Sequence, residues 1–316
     1  MGKPSKIVNV AAGILINGDG SFLLASRPAG KAYAGYWEFP GGKLEAGETA
    51  YAALVRELHE EMGITVTAAT PWIVQTFSYP HATVRLHFFR VTAWQGEPHP
   101  REGQALAWQT PGALTQSPIL PANGPILRGL ALPDTLALSN VAGLGETAWL
   151  ARLDAALEQG LSMLVLREPQ LDAGRYAALA RLTLARARQH GCRVLLHDAI
   201  TLARELEADG AQLSARAASA LQMRPDGLHW LGVSAHTPDE LAVAQRIGAD
   251  YACIGHVKET ASHPGAAPLG WSGYAGLLGQ GWPFPVYAIG GLAMADVATA
   301  QQYGGHGVAQ LSGAWL

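Results

Sequence analysis

Three glutamates in the first half of the chain are spaced so that they could hold a metal ion. Glu57, Glu60 and Glu61 fall at i, i+3 and i+4 in a stretch with helical periodicity, which places them on one face of a helix. Like charges at this spacing repel each other, so the face is either solvated or neutralised by a strongly positive partner. Because Mg²⁺ and Mn²⁺ prefer oxygen ligands, we expect one of these cations on the acidic face.

The helix that must carry these acids has clear start and stop signals. Residues 45–49 form a turn-rich entry, and Gly63 follows in the position that favours a left-handed backbone. The spacing predicts a helix over residues 50–62. Its predicted buried stripe consists of Ala50, Leu54, Leu58 and Met62.

The segment from Gly42 to Ile64 resembles the signature of the Nudix pyrophosphohydrolases. It contains Gly, five residues, Glu, seven residues and then Arg-Glu-aliphatic-any-Glu-Glu-any-Gly-aliphatic, without a mismatch. The resemblance implies that the three glutamates bind a divalent cation and that Glu57 is the general base that activates a water. It also implies that Arg56 points off the acidic face and anchors the loop by pairing with Glu48.

Three further segments resemble the MutT-type Nudix enzymes, which destroy oxidised nucleoside triphosphates. They are residues 37–43, 96–104 and 121–125. This likeness implies two more oxygen ligands, the Glu102 carboxylate and the Gly41 carbonyl. The reaction it implies is cleavage of a nucleoside triphosphate into a monophosphate and pyrophosphate, although the sequence does not show which phosphorus is attacked.

Selection of the base must depend on residues outside the metal-binding segment. Oxidation of guanine at C8 turns N7 into a hydrogen-bond donor, and an asparagine amide offers both an acceptor and a donor. Asn123 matches the base-reading Asn of the MutT type, and Arg27 and Phe39 match residues that line its nucleotide pocket. The alternatives are a turn-forming Asn123, a core Phe39 and a surface Arg27.

The whole chain is consistent with two compact domains. It has 316 residues, 49% of them hydrophobic and 15% charged, with a net charge of −3 and no Lys/Arg-rich run. These values argue against a nucleic-acid polymer as partner, and we expect no signal peptide or membrane span. Because only two cysteines, Cys192 and Cys253, are present, we expect no disulfide framework and a cytoplasmic location.

The order of predicted strands and helices changes near residue 132, which divides the chain into predicted domains 1–132 and 133–316. The first has strands at 7–16 and 21–26, a helix and further strands, which predicts an α/β/α sandwich with a mixed sheet. The second alternates strands and helices, which predicts a (β/α)8 barrel. Its expected strands are 135–139, 161–167, 193–197, 210–213, 228–234, 250–255, 285–289 and 306–311.

The second domain resembles thiamine phosphate synthase and the related TenI-type thiazole tautomerase. The likeness lies at the strand ends, where barrel enzymes keep their sites. The candidate site residues are Arg167, Asp198, Ser234, His256, Gly290, Gly291 and Ser312. Where a synthase uses Gln, Lys, Asn and a second metal-binding Asp, this chain has Val165, Pro169, His197 and Ala217. Synthase turnover is therefore not expected.

The sequence leads to a preferred hypothesis and leaves two others open. The first is an Mg²⁺- or Mn²⁺-dependent hydrolase of 8-oxo-dGTP that cleans the nucleotide pool and so limits oxidative mutation during DNA replication. The second is a Nudix hydrolase of another nucleotide or of a thiamine-related diphosphate. In the third, the barrel binds a thiazole or thiamine phosphate as a sensor, or acts as a tautomerase through His256 as acid and base.

Overall fold

The computed structural model describes residues 7–80, 82–260 and 265–315. The chain divides into two compact units, one comprising residues up to 132 with 281–284 and the other residues 133–280 with 285–316. This division differs from the one proposed from the sequence only in residues 281–284, because a boundary drawn along the chain cannot assign a short later segment to an earlier unit. None of the described helices has the length and apolar character needed to cross a membrane.

The first unit contains a mixed four-stranded sheet in the order β4-β1-β6-β5 and a three-stranded sheet in the order β3-β2-β7. The strands are β1 (Val8–Leu15), β2 (Phe22–Ser26), β3 (Trp37–Glu38), β4 (Gly41–Lys43), β5 (Thr65–Tyr79), β6 (Ala82–Gln95) and β7 (Leu106–Gln109). Strand β1 runs parallel to β6 and antiparallel to β4, which confirms the predicted mixed sheet.

Two helices cover opposite faces of the larger sheet. They are α1 (Ala50–Met62) and α2 (Gly124–Leu130). Ala11 and Leu15 of β1 pack in the core layer that contains α1, while Ala12 and Ile14 pack in the layer that contains Ile126 of α2. Alternate residues of a strand face opposite sides of its sheet, so this division follows from the strand itself. The result is the predicted α/β/α arrangement.

Helix α1 has the predicted ends and nearly the predicted buried face. The Thr49 hydroxyl accepts a hydrogen bond from the Ala52 N–H, and Gly63 ends the helix with φ of 71°. Its fully buried residues are Ala53, Leu54, Leu58 and Met62. Ala50 was expected in this set but is only partly buried, because it lies at the open first turn, and Ala53 takes its place next to Leu54.

The second unit is a closed barrel of eight parallel strands in the order β10-β11-β12-β13-β14-β15-β8-β9, as predicted. The strands are β8 (Thr135–Leu138), β9 (Met163–Leu166), β10 (Arg193–His197), β11 (Gly210–Leu213), β12 (Trp230–Ala235), β13 (Tyr251–Gly255), β14 (Val286–Ile289) and β15 (Gly307–Gln310). The helices are α3 (Val141–Leu144), α4 (Glu146–Glu158), α5 (Ala173–Gln189), α6 (Ile200–Glu205), α7 (Ala215–Ser219), α8 (Pro238–Arg246), α9 (Gly270–Leu278) and α10 (Val297–Gln302). Strands covered on both faces explain the apolar runs that identified them.

Candidate functional site

The acidic face of α1 lies directly against the glycines of β4. The carboxylate of Glu57 fills the space in which a side chain at Gly42 would begin, so a larger residue there would have to displace the end of the Glu57 side chain. The Gly41 N–H donates to Glu61 Oε2 at 3.2 Å, and Gly41 has φ of 143°, a value that favours glycine. The two glycines therefore allow the backbone to approach two of the predicted metal ligands closely.

Arg56 joins the loop before α1 to the acidic face. Its Nε and Nη2 donate to the two oxygens of Glu48 at 3.0 and 2.9 Å, as predicted. Its Nη1 donates to Glu57 at 2.9 Å and to Glu60 at 3.2 Å. The expectation that Arg56 points off the acidic face was therefore wrong. A guanidinium carries five donors in a rigid fork, so it can hold Glu48 along one edge and still reach the acids.

The loop that carries Glu102 is attached to the last turn of α1. The Arg101 N–H and the Gln104 amide both donate to the Glu61 carbonyl, at 3.1 and 2.9 Å. The Glu102 N–H donates to Gln104 Oε1 at 2.7 Å, and the His99 N–H donates to the Met62 carbonyl at 3.2 Å. These bonds bring Glu102 to the acidic face although it is 41 residues beyond Glu61.

Burial, together with the neighbouring acids, raises the pKa of Glu61. Burial raises the pKa of Glu61 to about 7, the charges of Glu102 and Glu57 add to this effect, and the Gly41 N–H and Lys31 oppose it. A carboxylate in such surroundings gains from a nearby cation. The predicted metal ligands are therefore poorly neutralised by the protein alone.

The donor set fits a hard divalent cation, although its side chains are spread apart. Within the described part of the chain, no three His, Cys, Asp or Glu residues converge closely enough to hold an ion. Arg56 pairs with Glu57 and Glu60, and the Lys31 ammonium pairs with Glu102 at 2.7 Å. Rearrangement of these flexible ion pairs would leave an all-oxygen set suited to Mg²⁺ or Mn²⁺.

Asn123 lies in a short 3-10 turn (Pro121–Asn123) before α2 and is 3% exposed. Its backbone N–H donates to the Leu120 carbonyl at 2.8 Å, whereas its side-chain Nδ2 is buried without a hydrogen-bond partner among the described residues. An unpaired buried donor is costly, so this amide is open to a hydrogen-bond acceptor. A turn-forming role accounts for the backbone of Asn123 but leaves this amide unexplained.

The two other predicted pocket residues are already engaged within the protein. Arg27 Nη1 donates to both oxygens of Glu38, at 2.5 and 2.7 Å, and its Nε donates to the Ala32 carbonyl. Phe39 is 3% exposed and packs between Phe22 and Phe88 in the core. Contact of Arg27 and Phe39 with a nucleotide remains a prediction.

Two tyrosines near this region were missed by the sequence reasoning. Tyr79 packs against Tyr33 with 5.4 Å between ring centroids. Burial raises the pKa of Tyr79, the Ala122 backbone opposes this shift, and the Glu38 charge reinforces it. Tyr79 therefore lies near both the Pro121–Asn123 turn and the Arg27–Glu38 pair. Its only signal in the sequence was an aromatic residue at the end of a long strand.

The barrel has a cavity of about 910 Å³ at the carboxyl ends of its strands. Six of the seven predicted site residues line it, namely Arg167, Ser234, His256, Gly290, Gly291 and Ser312. Lining residues that the sequence reasoning did not propose as ligand contacts include Asn140, His197, Gln212, His236 and Thr260. Gln212 was detectable as a polar residue inside an apolar strand, and its amide donates to the Ser234 hydroxyl at 3.1 Å.

Asp198 does not line this cavity, unlike the other predicted residues of the second domain. Its Oδ1 accepts from the Ser214 N–H at 2.7 Å, so it stabilises the start of the segment that leads into α7. Burial lowers the pKa of the neighbouring His197, and the charge of Asp198 opposes this effect. The geometry therefore gives Asp198 a structural contact in the place of the predicted ligand contact.

Gly290 and Gly291 have a structural role that does not depend on a ligand. Their φ values are 99° and 65°, and a Cβ on either would collide with the loop after β13, at His256 and at Glu259. The tight turn therefore requires both glycines. Binding of a phosphate by their backbone remains a prediction.

Comparison with known protein families assigns each part of the chain. The profile described as NUDIX domain matches residues 6–130, and the profile described as thiamine monophosphate synthase matches residues 140–314. An 8-oxo-dGTP diphosphatase of Haemophilus influenzae is 42% identical over 125 residues, covering 40% of this chain and 92% of that protein. A CTP pyrophosphohydrolase of Escherichia coli is 41% identical, covering 39% and 90%.

The second part of the chain also has a relative of known family. A thiamine-phosphate synthase of Bacillus licheniformis is 32% identical over 189 residues, covering 58% of this chain and 84% of that protein. The coverage of the two profiles and of these relatives, together with the two folds, shows both families. The chain is a Nudix hydrolase domain, closely related to 8-oxo-dGTP diphosphatases and CTP pyrophosphohydrolases, joined to a domain of the thiamine monophosphate synthase family.

Proposed function

We propose that the first domain hydrolyses 8-oxo-dGTP to 8-oxo-dGMP and pyrophosphate with the help of Mg²⁺ or Mn²⁺, and so removes an oxidised nucleotide before it enters DNA. The observation that carries this proposal is the acidic face of α1, which lies against the two glycines of β4, with a fourth carboxylate carried by a loop that is bonded to the same helix. Glu57, Glu60 and Glu61 come from α1, and Glu102 comes from the loop bound to its last turn. The relatives named as 8-oxo-dGTP diphosphatases support the choice of reaction.

The four carboxylates and the Gly41 carbonyl would hold the cation. Side chains of the chain itself would supply the base and position it. When bound, the cation would neutralise phosphate charge and make a water more acidic. Glu57 is the proposed base for that water, because its carboxylate lies over Gly42 and is fixed by Arg56. Arg56 is in turn fixed by Glu48, so the base is positioned from outside the reacting centre.

Selection of the oxidised base is assigned to Asn123. Its buried Nδ2 has no partner among the described residues, and the O6 carbonyl of an 8-oxoguanine could accept its hydrogen bond. The Oδ1 of the same amide could accept from N7–H, the donor that oxidation creates. An ordinary guanine has no hydrogen at N7 and would leave that acceptor unpaired, which is the physical basis for discrimination.

The direct test is turnover of a nucleotide panel by the full chain, with release of phosphate and of pyrophosphate measured separately. We expect 8-oxo-dGTP to be preferred and pyrophosphate to be released. Glu57→Gln and Glu60→Gln should each lower kcat by at least about a hundredfold, the range of a lost general base, without a change in the circular dichroism spectrum. Glu97→Gln, at an exposed glutamate of the same domain, is the matched control. Full turnover by either active-site variant would disprove the mechanism.

A second nucleotide is supported by one relative. Because the CTP pyrophosphohydrolase is 41% identical to the first domain, CTP and dCTP belong in the same panel. Thiamine diphosphate belongs there as well, because the chain carries a domain of the thiamine monophosphate synthase family. A higher kcat/KM for any of these substrates would reassign the first domain and leave the carboxylate mechanism in place.

For the barrel we infer a second function, binding of a small phosphorylated compound related to thiamine. The cavity is lined by Arg167 and three histidines, and no Asp or Glu is among its described lining residues. Carboxylates beside the cavity are engaged within the protein, since Asp198 accepts from the Ser214 N–H, Glu240 from the His236 N–H and Glu168 from the Val141 and Ala142 N–H groups. Such a surface suits an anion.

Calorimetry of the full chain with thiamine monophosphate and with thiazole phosphate, followed by turnover assays, distinguishes the two roles of the barrel. Binding without turnover would identify a sensor, whereas interconversion of thiazole phosphate tautomers that is lost in His256→Gln would identify a tautomerase. Binding of neither compound would refute the inferred function of the barrel.

A further inference from the structure

Lys31 forms an ion pair with one of the predicted metal ligands. It lies in the loop between β2 and β3, and its Nζ is 2.7 Å from Glu102 Oε2. The two side chains are 48% and 45% exposed. An ammonium therefore already occupies one oxygen of a carboxylate that a metal ion would need.

Lys31 and Arg56 pair with different acids. Arg56 pairs with Glu57 and Glu60 on α1, and Lys31 pairs with Glu102. Two protein cations thus pair with three of the four carboxylates, which leaves the acidic group with a net negative charge. A divalent cation that binds the four acids has to replace at least part of this internal charge.

Arg56 and Lys31 differ in how firmly the protein holds them. Arg56 is held by both oxygens of Glu48 and by the Lys43 carbonyl, so its position does not depend on the acidic face. Lys31 is half exposed, and its ammonium ends a flexible chain of four methylene groups. An exposed pair of this kind contributes little stability. Lys31 is therefore the cation that leaves.

Resting on the function proposed above, we propose that Lys31 is a phosphate-binding residue that pairs with Glu102 in the metal-free protein and moves to the substrate's phosphates when a divalent cation takes Glu102. A divalent cation held by the acids would neutralise charge on the phosphates of a nucleoside triphosphate bound beside it. An ammonium released beside Glu102 is then next to those phosphates and is attracted by their charge.

This exchange of partners predicts that removing the charge of Lys31 strengthens the binding of Mn²⁺ and weakens the binding of the triphosphate. Lys31→Met removes a competitor for Glu102, so the affinity for Mn²⁺ should rise by about two- to fivefold, the equivalent of one exposed ion pair. The same variant lacks a contact to phosphate, so KM for the triphosphate at saturating Mn²⁺ should rise by about three- to tenfold. Lys31→Arg keeps the charge and should remain close to the wild type in both measurements.

The affinity for Mn²⁺ is measured by titrating the full chain with Mn²⁺ alone. Electron paramagnetic resonance reports the concentration of the free ion. The KM measurement uses 8-oxo-dGTP. Arg85→Gln removes one positive charge from an exposed position on β6 and is the control for a general change in charge. Thermal melting in EDTA checks that each variant is folded, and Lys31→Gln provides a second neutral variant.

Weaker or unchanged Mn²⁺ binding by both neutral variants would refute the competition between Lys31 and the metal. An unchanged KM would refute the transfer of Lys31 to phosphate. The metal titration contains no nucleotide, so it stands even if 8-oxo-dGTP is not the substrate. In that case KM is measured with the preferred member of the nucleotide panel.

Discussion

The carboxylate of Glu57 occupies the position at which Gly42 would carry a side chain. A Cβ built on Gly42 would collide with all three atoms of that carboxylate. The backbone of Gly42 lies outside the left-handed region, so its conformation alone does not require glycine. It is the approach of Glu57 that favours glycine, because a larger residue would have to displace the carboxylate. The proposed base is therefore positioned against the strand it covers.

We expect Gly42→Ala to impair turnover while the protein stays folded. The methyl group would displace the end of the Glu57 side chain, which is flexible, so the fold can adapt. Because the displaced group is the proposed base, kcat should fall by at least about tenfold, corresponding to about 1.4 kcal/mol of lost transition-state stabilisation. Gly18→Ala is the matched control, since nothing lies within 4 Å of its added methyl group. Equal rates for the two variants would contradict the placement of Glu57.

The variant Asn123→Ala should lower the preference for 8-oxo-dGTP over dGTP far more than it lowers hydrolysis in general. The loss in preference should be about tenfold or greater, as expected when a buried hydrogen bond to the base is removed. Asn123→Asp keeps the shape of the side chain but replaces the Nδ2 donor by an acceptor, so it should reduce the preference as well. The check is kcat/KM for both nucleotides, and equal losses on the two would refute base reading by Asn123.

The metal-free protein should become less stable as the pH rises through neutrality. Burial and the charges of Glu102 and Glu57 raise the pKa of Glu61 from 4.5 to about 7, so the folded chain holds this proton more tightly than the unfolded chain. The stabilisation by the protonated group is fully present below pH 4.5 and is lost as the pH rises through about 7. Thermal melting in EDTA should show this decline, and Glu61→Gln should reduce it. A melting temperature that responds to pH equally in both proteins would exclude Glu61 as its source.

Arg167→Gln should remove binding of thiamine monophosphate to the barrel and leave nucleotide hydrolysis unchanged. Arg167 is the one arginine among the described residues that line the cavity, so its loss removes the fixed positive charge that an anion needs. We expect at least about tenfold weaker binding by calorimetry. Arg181→Gln, at an exposed arginine of α5, is the control. Wild-type affinity in Arg167→Gln would place the phosphate elsewhere.

Parts of the fold were predictable because local chemistry decides them. Thr49 and Gly63 mark the two ends of α1 by capping, a property of the residues themselves. The eight barrel strands were visible as apolar runs because parallel strands are buried on both faces. The face of α1 was predicted less well, since the burial of Ala53 in preference to Ala50 depends on what packs against each turn.

The sequence by itself determined the spacing of Glu57, Glu60 and Glu61 along one helix face, because helical periodicity is a local property. Only the tertiary structure decided which cation meets the acids from elsewhere in the chain. Arg56 pairs with Glu60 at i,i+4 on the same helix, which is a local contact, whereas Lys31 meets Glu102 because two loops separated by 71 positions converge. Contacts between distant segments depend on how the sheets place those loops. The spacing of residues along the chain does not give the distance between the loops in the folded protein.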